Sequence, residues 1–341
     1  MTSGTTSPPA TVFRTADGGV SLLSWPALDA SGASAAVTAR SGGVSCGPYA
    51  TLNLSLGVGD DPARVLENRR RLAAAIGARP RDFVWARQVH GAGVRVVDGA
   101  DAGSGAFGLD DAIADADALV TRTPGVVLAI LTADCVPVVL HDPIAGVLAC
   151  VHAGWRGTVA GVPAAALAAM KGLGAHPQDV VAGIGPAIAP SSYQVGPDVH
   201  EAVTRAFGSA ASAFIRPDTV PDRWLLDLWA ANRHALRQAG VPGRHIHTTP
   251  HPTGPATTTP HPAGPATTPH PVGPATTDPA PVSLAPATAA PAPAPAVDPG
   301  NHADFMQHTS FFSDRAARPC GRLALVARLR RPGADSMNVT L

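Results

Sequence analysis

Residues 126–156 read Val126-Val127-Leu128-Ala129-Ile130-Leu131-Thr132-Ala133-Asp134-Cys135-Val136-Pro137-Val138-Val139-Leu140-His141-Asp142-Pro143-Ile144-Ala145-Gly146-Val147-Leu148-Ala149-Cys150-Val151-His152-Ala153-Gly154-Trp155-Arg156. Three short apolar runs, 126–131, 136–140 and 147–151, are separated by segments with turn character. Runs of this length without polar alternation predict strands buried on both faces, although periodicity alone leaves buried helix open. Two residues with metal chemistry punctuate them, Cys135 between the first two runs and His152 just after the third. His90 occupies a similar place upstream, closing the run 83–90 before Gly91-Ala92-Gly93. If these strands share one sheet, two imidazoles and a thiolate meet at one rim, a set that suits zinc and leaves a fourth tetrahedral position open.

Working outward, 35–40 reads as a strand, and Asp61-Pro62 as a helix start with Asp at the N-cap and Pro in the first turn. Val65, Leu66, Leu72, Ala73 and Ile76 give that helix one apolar face, which runs to Gly77. Residues 158–171 predict an Ala-rich helix and 180–184 a strand. Helices follow at 197–207 and 226–239, the second stopped by Gly240. Leu323, Leu325, Ala327 and Leu329 predict a closing strand. Residues 1–30 read as a flexible lead-in and 334–341 as a tail. Between them, 31–247 and 301–333 form one catalytic domain, interrupted at 248–300. There His251-Pro252-Thr253-Gly254-Pro255-Ala256-Thr257-Thr258 recurs from His261 and again from His270, before a Pro/Ala stretch. Proline at this density denies helix and sheet their donors, so this Pro/Thr/Ala-rich segment reads as a disordered insertion and a solvated linker.

The 341 residues carry 25 Lys+Arg and 25 Asp+Glu, a formal net charge of zero. Nucleic-acid affinity rests on basic charge opposite phosphates, so a general polyanion surface is not expected. No apolar run approaches the roughly 20 residues a membrane helix needs, and 1–11 lack the apolar core of a secretory signal. A reducing cytoplasm and free thiols are the expectation for Cys46, Cys135, Cys150 and Cys320.

His152 precedes a Gly-containing turn and a helix start, where backbone N–H groups can face an anion and Arg156 can add bidentate contact to a phosphate. The alternative is a tight turn with Arg156 paired to a surface carboxylate. Cys135 reads as a metal ligand, a nucleophile or a small buried hydrophobe. Asp134 beside it could orient a ligand or serve as acid or base. Cys150, inside a strand, reads as a buried hydrophobe. His141 reads as a partly exposed strand-end histidine, and Gln88 is expected on the same strand face as His90.

Taken together, Arg87-Gln88-Val89-His90-Gly91, Thr132-Ala133-Asp134-Cys135-Val136-Pro137 and His152-Ala153-Gly154-Trp155-Arg156-Gly157-Thr158 resemble the purine nucleoside phosphorylase family once labelled polyphenol oxidase or laccase-like, also called a peptidoglycan editing factor family. Gly42-Gly43-Val44-Ser45, Asn53-Leu54, Glu67-Asn68-Arg69, Ile184-Gly185-Pro186, Asp227-Leu228 and Phe311-Phe312-Ser313 match in the same order. The resemblance implies a single α/β (α+β) domain with a mixed central sheet flanked by helices. It implies zinc, ahead of copper, on His90, Cys135 and His152. It further implies phosphorolysis of adenosine, inosine and methylthioadenosine, with adenosine deamination attributed to the family as well. Catalytic roles then fall to Cys135, His152 and Asp134, and substrate contacts to Arg156, Gln88 and Asn53. Purine nucleoside and phosphate are the partners the resemblance implies, with monomer and small homo-oligomer both left open. The sequence departs from the family at His247-Thr248, where Cys-Thr is common, and around Asp314 and Cys320.

Three other readings compete. A copper polyphenol oxidase would need clustered His-x-His pairs, and His245-Ile246-His247 stands alone. A hydrolase could use Cys135 and His152 on peptidoglycan-type amides. A binding protein could use the Pro/Thr/His repeat to recruit partners.

Overall fold

The three apolar runs are strands Val127–Thr132, Val136–Asp142 and Val147–Ala153, and all but one of their residues are buried. The computed structural model describes residues 9–249, 251–254 and 310–330, which fall within one compact unit. The chain is a mixed α/β fold whose described strands form two six-stranded sheets, with a two-stranded and a three-stranded sheet beside them. In the first, strands follow the order Val12–Thr15, Ser21–Ser24, Ala33–Thr38, Leu323–Leu329, Val127–Thr132 and Phe83–Trp85. In the second, the order is Ile246–Thr248, Val181–Ile184, Val136–Asp142, Val147–Ala153, Ala118–Thr121 and Val94–Val96. Both sheets are mixed, with one parallel pair at an edge of the first and a parallel pair at each edge of the second.

Strand alternation builds the layers. Leu128, Ile130, Leu325, Val139, Leu148 and Cys150 share one apolar cluster between the sheets. The alternate residues Val138, Leu140, Ala149 and Val151 pack with Ala166, Leu167, Met170, Ala231 and Leu236, from helices Val162–Gly172 and Leu228–Gln238. On the other side, Val127, Ala129, Ala324 and Val326 pack with Leu72 and Ala73 of helix Pro62–Ala75. A strand buried on both faces cannot alternate polar and apolar residues, which is why these runs are continuous. Full burial of each Leu or Ile side chain contributes about 1.5–3 kcal/mol.

The expected helix start holds: the Asp61 side chain accepts from the Ala63 N–H at 2.9 Å. Several expectations change. The lead-in up to residue 30 contains an antiparallel hairpin, Val12–Thr15 with Ser21–Ser24, and helix Pro26–Ser31. Leu23, Trp25 and Leu28 of that segment are fully buried, so core burial orders a stretch too short to show periodicity. The helix expected at 158–171 is two helices, Trp155–Val159 and Val162–Gly172, because Gly161 takes a left-handed φ of 81° between them. The strand ending at His90 stops at Trp85. Residues 251–254, read as insertion, belong to the fold, since Pro252–Thr253 pairs in parallel with Ala187–Ile188. The rest of the repeat, 255–300, and the tail 334–341 lie outside the described residues. His141 is 2% exposed, with Nδ1 2.9 Å from the Ser31 Oγ.

Candidate metal centre

The three candidate ligands do not come from one sheet. His90 lies where the chain leaves Phe83–Trp85 of the first sheet for Val94–Val96 of the second. Cys135 lies where it leaves Val127–Thr132 of the first for Val136–Asp142 of the second. His152 is near the end of Val147–Ala153, within the second sheet. Two crossings between the sheets and one strand end thus converge on a common rim.

Register accounts for the convergence. Antiparallel pairing matches Pro137 with His152 and Val136 with Ala153, so Cys135 emerges beside Gly154. Val94 pairs in parallel with Ala118, and Ala118 pairs antiparallel with Val151. Asp117 therefore sits between His152 on one side and the His90 turn on the other. One ligand atom from each of His90, Cys135 and His152 lies within 4.8 Å of the others. Among the described residues, no other group of three or more His, Cys, Asp or Glu side chains converges in this way.

Asp117 organises this cluster. It is fully buried, and its carboxylate accepts from the N–H groups of His90 at 3.0 Å, Gly91 at 2.7 Å and Val89 at 3.3 Å. The same carboxylate lies 2.8 Å from His152 Nδ1. These bonds replace a strand partner for residues 89–91 and leave His90 with φ of 60°. They also fix the His152 tautomer, directing Nε2 toward a ligand, the role of an outer-shell carboxylate at a metal site. Burial raises the Asp117 carboxyl, but His152 and the backbone donors outweigh it and hold it below the usual range.

Cys135 and His152 polarise each other. Burial pushes the thiol up, yet His152 and His90 beside it bring it down to about 6. Burial depresses His152, and Cys135 and Asp117 overcome this and raise it to about 9. Each of the two thus favours the ionised form of the other. Gly154 supplies the necessary space: a Cβ there would fall 2.8 Å from Cys135 Sγ and 3.4 Å from His90 Cδ2. Close donors, a readily ionised thiol, an oriented imidazole and a backbone with no side chain in the way fit a His₂Cys metal site.

The remaining candidates are placed differently. Asp134, with φ of 77°, is adjacent to Cys135, but its carboxylate is not one of the converging ligand groups. It accepts from Thr253 Oγ1 at 2.5 Å and from the Arg315 N–H at 2.7 Å, and burial raises its carboxyl. Asp134 thus clasps Thr253, in the first repeat unit, and Arg315, beyond the repeat. Arg156 is exposed, and its guanidinium lies 4.4 Å over the Trp155 ring. Its helix has only five residues. The Gln88 amide bonds the Leu131 backbone through both ends, each at 2.7 Å, and so extends the first sheet's edge. Asn53 is fully buried in a polar knot, donating to Ser55 and Asp60 and accepting from the Ser55 and Arg322 N–H groups. Both of these amides are structural fasteners, with the hydrogen-bonding capacity of Asn53 used within the protein.

Sequence reasoning missed three residues. Asp117 carries one local signal, its place before the apolar run 118–121, and Asp110, Asp111 and Asp115 nearby obscure it. Tyr193 lies close enough to Cys135, Arg315, Asp134 and Arg156 to interact with all four, and burial pushes its phenol upward. Arg315 reaches the same region through its bond to Asp134. All four cysteines are unpaired, and Cys150 is a buried apolar side chain, as expected. A separate cleft of about 320 Å³ lies at the far end of Val136–Asp142, lined by His141, Arg122 and Arg330, and includes none of the ligand residues.

A family model described as "Multi-copper polyphenol oxidoreductase laccase" matches residues 34–259. Purine nucleoside phosphorylase ORF3 of Streptomyces griseus is 49% identical over 218 residues, 62% of this chain and 81% of that protein. Purine nucleoside phosphorylase YlmD of Geobacillus stearothermophilus is 40% identical over 220 residues, 64% of this chain and 80% of that one. A crystal structure of YlmD from that organism matches with a TM-score of 0.75 and 30% identity, covering 95% of this chain and 100% of that one. A Bacillus licheniformis hypothetical protein, YfiH, matches with a TM-score of 0.73 and 26% identity, covering 93% and 99%. With its fold, its ligand cluster and these relatives in agreement, the chain belongs to the purine nucleoside phosphorylase/YfiH family, to which the laccase-like description also attaches.

Proposed function

We propose that this protein is a zinc-dependent purine nucleoside phosphorylase acting on adenosine, inosine and methylthioadenosine, with adenosine deamination as a companion activity. The observation that carries the reading is the His90–Cys135–His152 cluster, with ligand atoms within 4.8 Å of one another. Zinc ahead of copper follows from a single set of two imidazoles and one thiolate with an open fourth position. A multicopper centre needs several such sets, and the described residues hold one.

His90, Cys135 and His152 would hold the metal, which when bound supplies Lewis-acid stabilisation of developing negative charge. Asp117 keeps His152 oriented, and Gly154 leaves room for the Cys135 thiol beside His90. Arg156 offers a guanidinium to phosphate. In phosphorolysis a phosphate oxygen bonds to ribose C1′ as the C1′–N9 bond breaks. The electron pair leaves with the purine, and the proton lost from phosphate balances the one the base takes up. Holding the two reactants together removes much of the entropic barrier. Asp134 acts as a positioning residue, because its carboxylate oxygens are engaged by Thr253 and Arg315.

One observation favours a second reading. Cys135, His152 and Asp117 also form a nucleophile–base–orienter series of the kind cysteine hydrolases use. Product chromatography from adenosine, with and without phosphate, separates the readings when run beside Cys135→Ala. Phosphate-dependent adenine and ribose-1-phosphate, with both turnover and bound zinc lost in Cys135→Ala, support the phosphorylase. Inosine alone makes the protein a deaminase. A metal-free protein inactivated by thiol alkylation, or full phosphorolysis by Cys135→Ala, overturns the proposal.

A further inference from the structure

Arg315 is half-buried, and its hydrogen-bond partners at the backbone N–H and at Nη2 leave its charge unmatched. Its backbone N–H donates to Asp134 Oδ2 at 2.7 Å, and its Nη2 donates to the Gln194 carbonyl at 2.9 Å. Its Nε is buried, with no hydrogen-bond partner among the described residues. The acid next to it in sequence, Asp314, is taken by Arg318 and Arg322. Among the described residues, no carboxylate side chain forms an ion pair with Arg315. A buried guanidinium N–H left unpaired is costly, so such a group is expected to face a ligand that completes it.

Its location indicates which ligand. Asp134, which holds the Arg315 backbone, immediately precedes Cys135. Gln194, which accepts from the guanidinium, immediately follows Tyr193. Arg315 and Arg156 both act on the Tyr193 phenol, as does Cys135. Two arginines with no ion pair to a carboxylate among the described residues thus come near Tyr193 from separate parts of the chain, Arg315 through its bonds to the neighbours of Cys135 and Tyr193. Guanidinium groups suit tetrahedral oxyanions through paired N–H donors, and two of them match a doubly charged phosphate.

We propose that Arg315 is the second arm of the phosphate subsite, holding the phosphate co-substrate together with Arg156, and that Asp134 is the positioning residue that brings Arg315 to the site. This rests on the phosphorylase reading for the identity of the anion, while the oxyanion site itself stands on the geometry of Arg315. The test uses the full chain loaded with zinc, in wild-type, Arg315→Gln, Arg315→Lys and Arg156→Gln forms. Metal content and thermal unfolding establish that each variant is folded. Two readouts follow: KM for phosphate at saturating adenosine, and the shift in unfolding midpoint produced by inorganic phosphate alone.

Arg315→Gln is expected to raise KM for phosphate about 10- to 100-fold, the scale of a lost charge-assisted hydrogen bond. KM for adenosine should stay within about twofold, and Arg315→Lys should recover part of the loss because it restores charge without the fork. An unchanged KM for phosphate in folded Arg315→Gln overturns the inference and leaves the phosphorylase reading intact. Absent phosphorolysis, with a wild-type phosphate shift that Arg315→Gln abolishes, keeps the oxyanion site and removes the phosphorylase reading. No phosphate shift in the wild type, together with no phosphorolysis, overturns both.

Discussion

Gly154→Ala tests the centre most directly, because it adds one methyl group at the point where the ligands meet. The backbone at Gly154 has φ of −71° and ψ of 172°, extended values open to any residue, so the substitution strains no dihedral. The new Cβ would stand 2.8 Å from Cys135 Sγ and 3.4 Å from His90 Cδ2. Sulfur cannot remain at that separation from carbon. Either Cys135 rotates away from His152, or the chain on one side moves, and both responses pull the three donors apart. Overpacking of this kind costs about 1–3 kcal/mol. If that cost falls on the metal-bound state, zinc affinity drops by about 5- to 150-fold, at 1.4 kcal/mol per tenfold. Competition titration with a chromophoric zinc chelator measures the affinity, and far-ultraviolet circular dichroism shows that the fold is retained. A folded variant binding zinc as tightly as the wild type would refute the reasoning, since the metal would then not lie among Cys135, His90 and His152.

Two further substitutions probe the surroundings. Asp117→Asn replaces a carboxylate that takes bonds from His152 Nδ1 and three backbone N–H groups. One end of the amide must then face donors with its own NH₂, so zinc affinity is expected to fall about 10- to 100-fold; the same titration checks it, and a change below twofold would contradict the orienting role. His141 is neutral because burial lowers it to about 4. The unfolded chain takes up a proton near pH 6.5 that the folded chain refuses until about pH 4. The His141 contribution therefore lowers stability as pH drops through that window, by at most a few kcal/mol, and changes no further below it. Urea unfolding at pH 7 and pH 4.5 should show a smaller loss in His141→Gln than in the wild type.

The layers of the fold were largely legible because burial on both faces leaves a direct mark on composition. Strands 127–132, 136–142 and 147–153 cannot carry polar residues at alternate positions, and they do not. Leu323, Leu325, Ala327 and Leu329 show the period of a strand, and all four face the space between the sheets. Capping is equally local, so Asp61 marked its helix. The hairpin at 12–24 was illegible for the opposite reason: its strands have four residues each, too few for a period, and the core they join lies elsewhere in the chain. The break at Gly161 depended on one left-handed residue inside an Ala-rich run.

By itself, the sequence determined the chemistry available: two histidines and a cysteine at the ends of buried runs, in motifs shared with one family. Those residue types set the preference for a borderline-soft metal, since imidazole and thiolate are the donors such ions take. Only the tertiary structure decided that the three donors meet, and how. The ligands are spread from residue 90 to residue 152 across two sheets, and no local spacing encodes their approach. Strand register brings Cys135 beside Gly154, and Asp117 gathers the His90 turn and the His152 ring with one carboxylate. Gln88 and Asn53 resemble binding residues in one dimension, yet the folded chain consumes their hydrogen bonds internally. Arg315 gained its place through Asp134, 181 positions away in the sequence. Sequence records which groups are present, whereas proximity and unspent bonding capacity arise only when distant segments pack together.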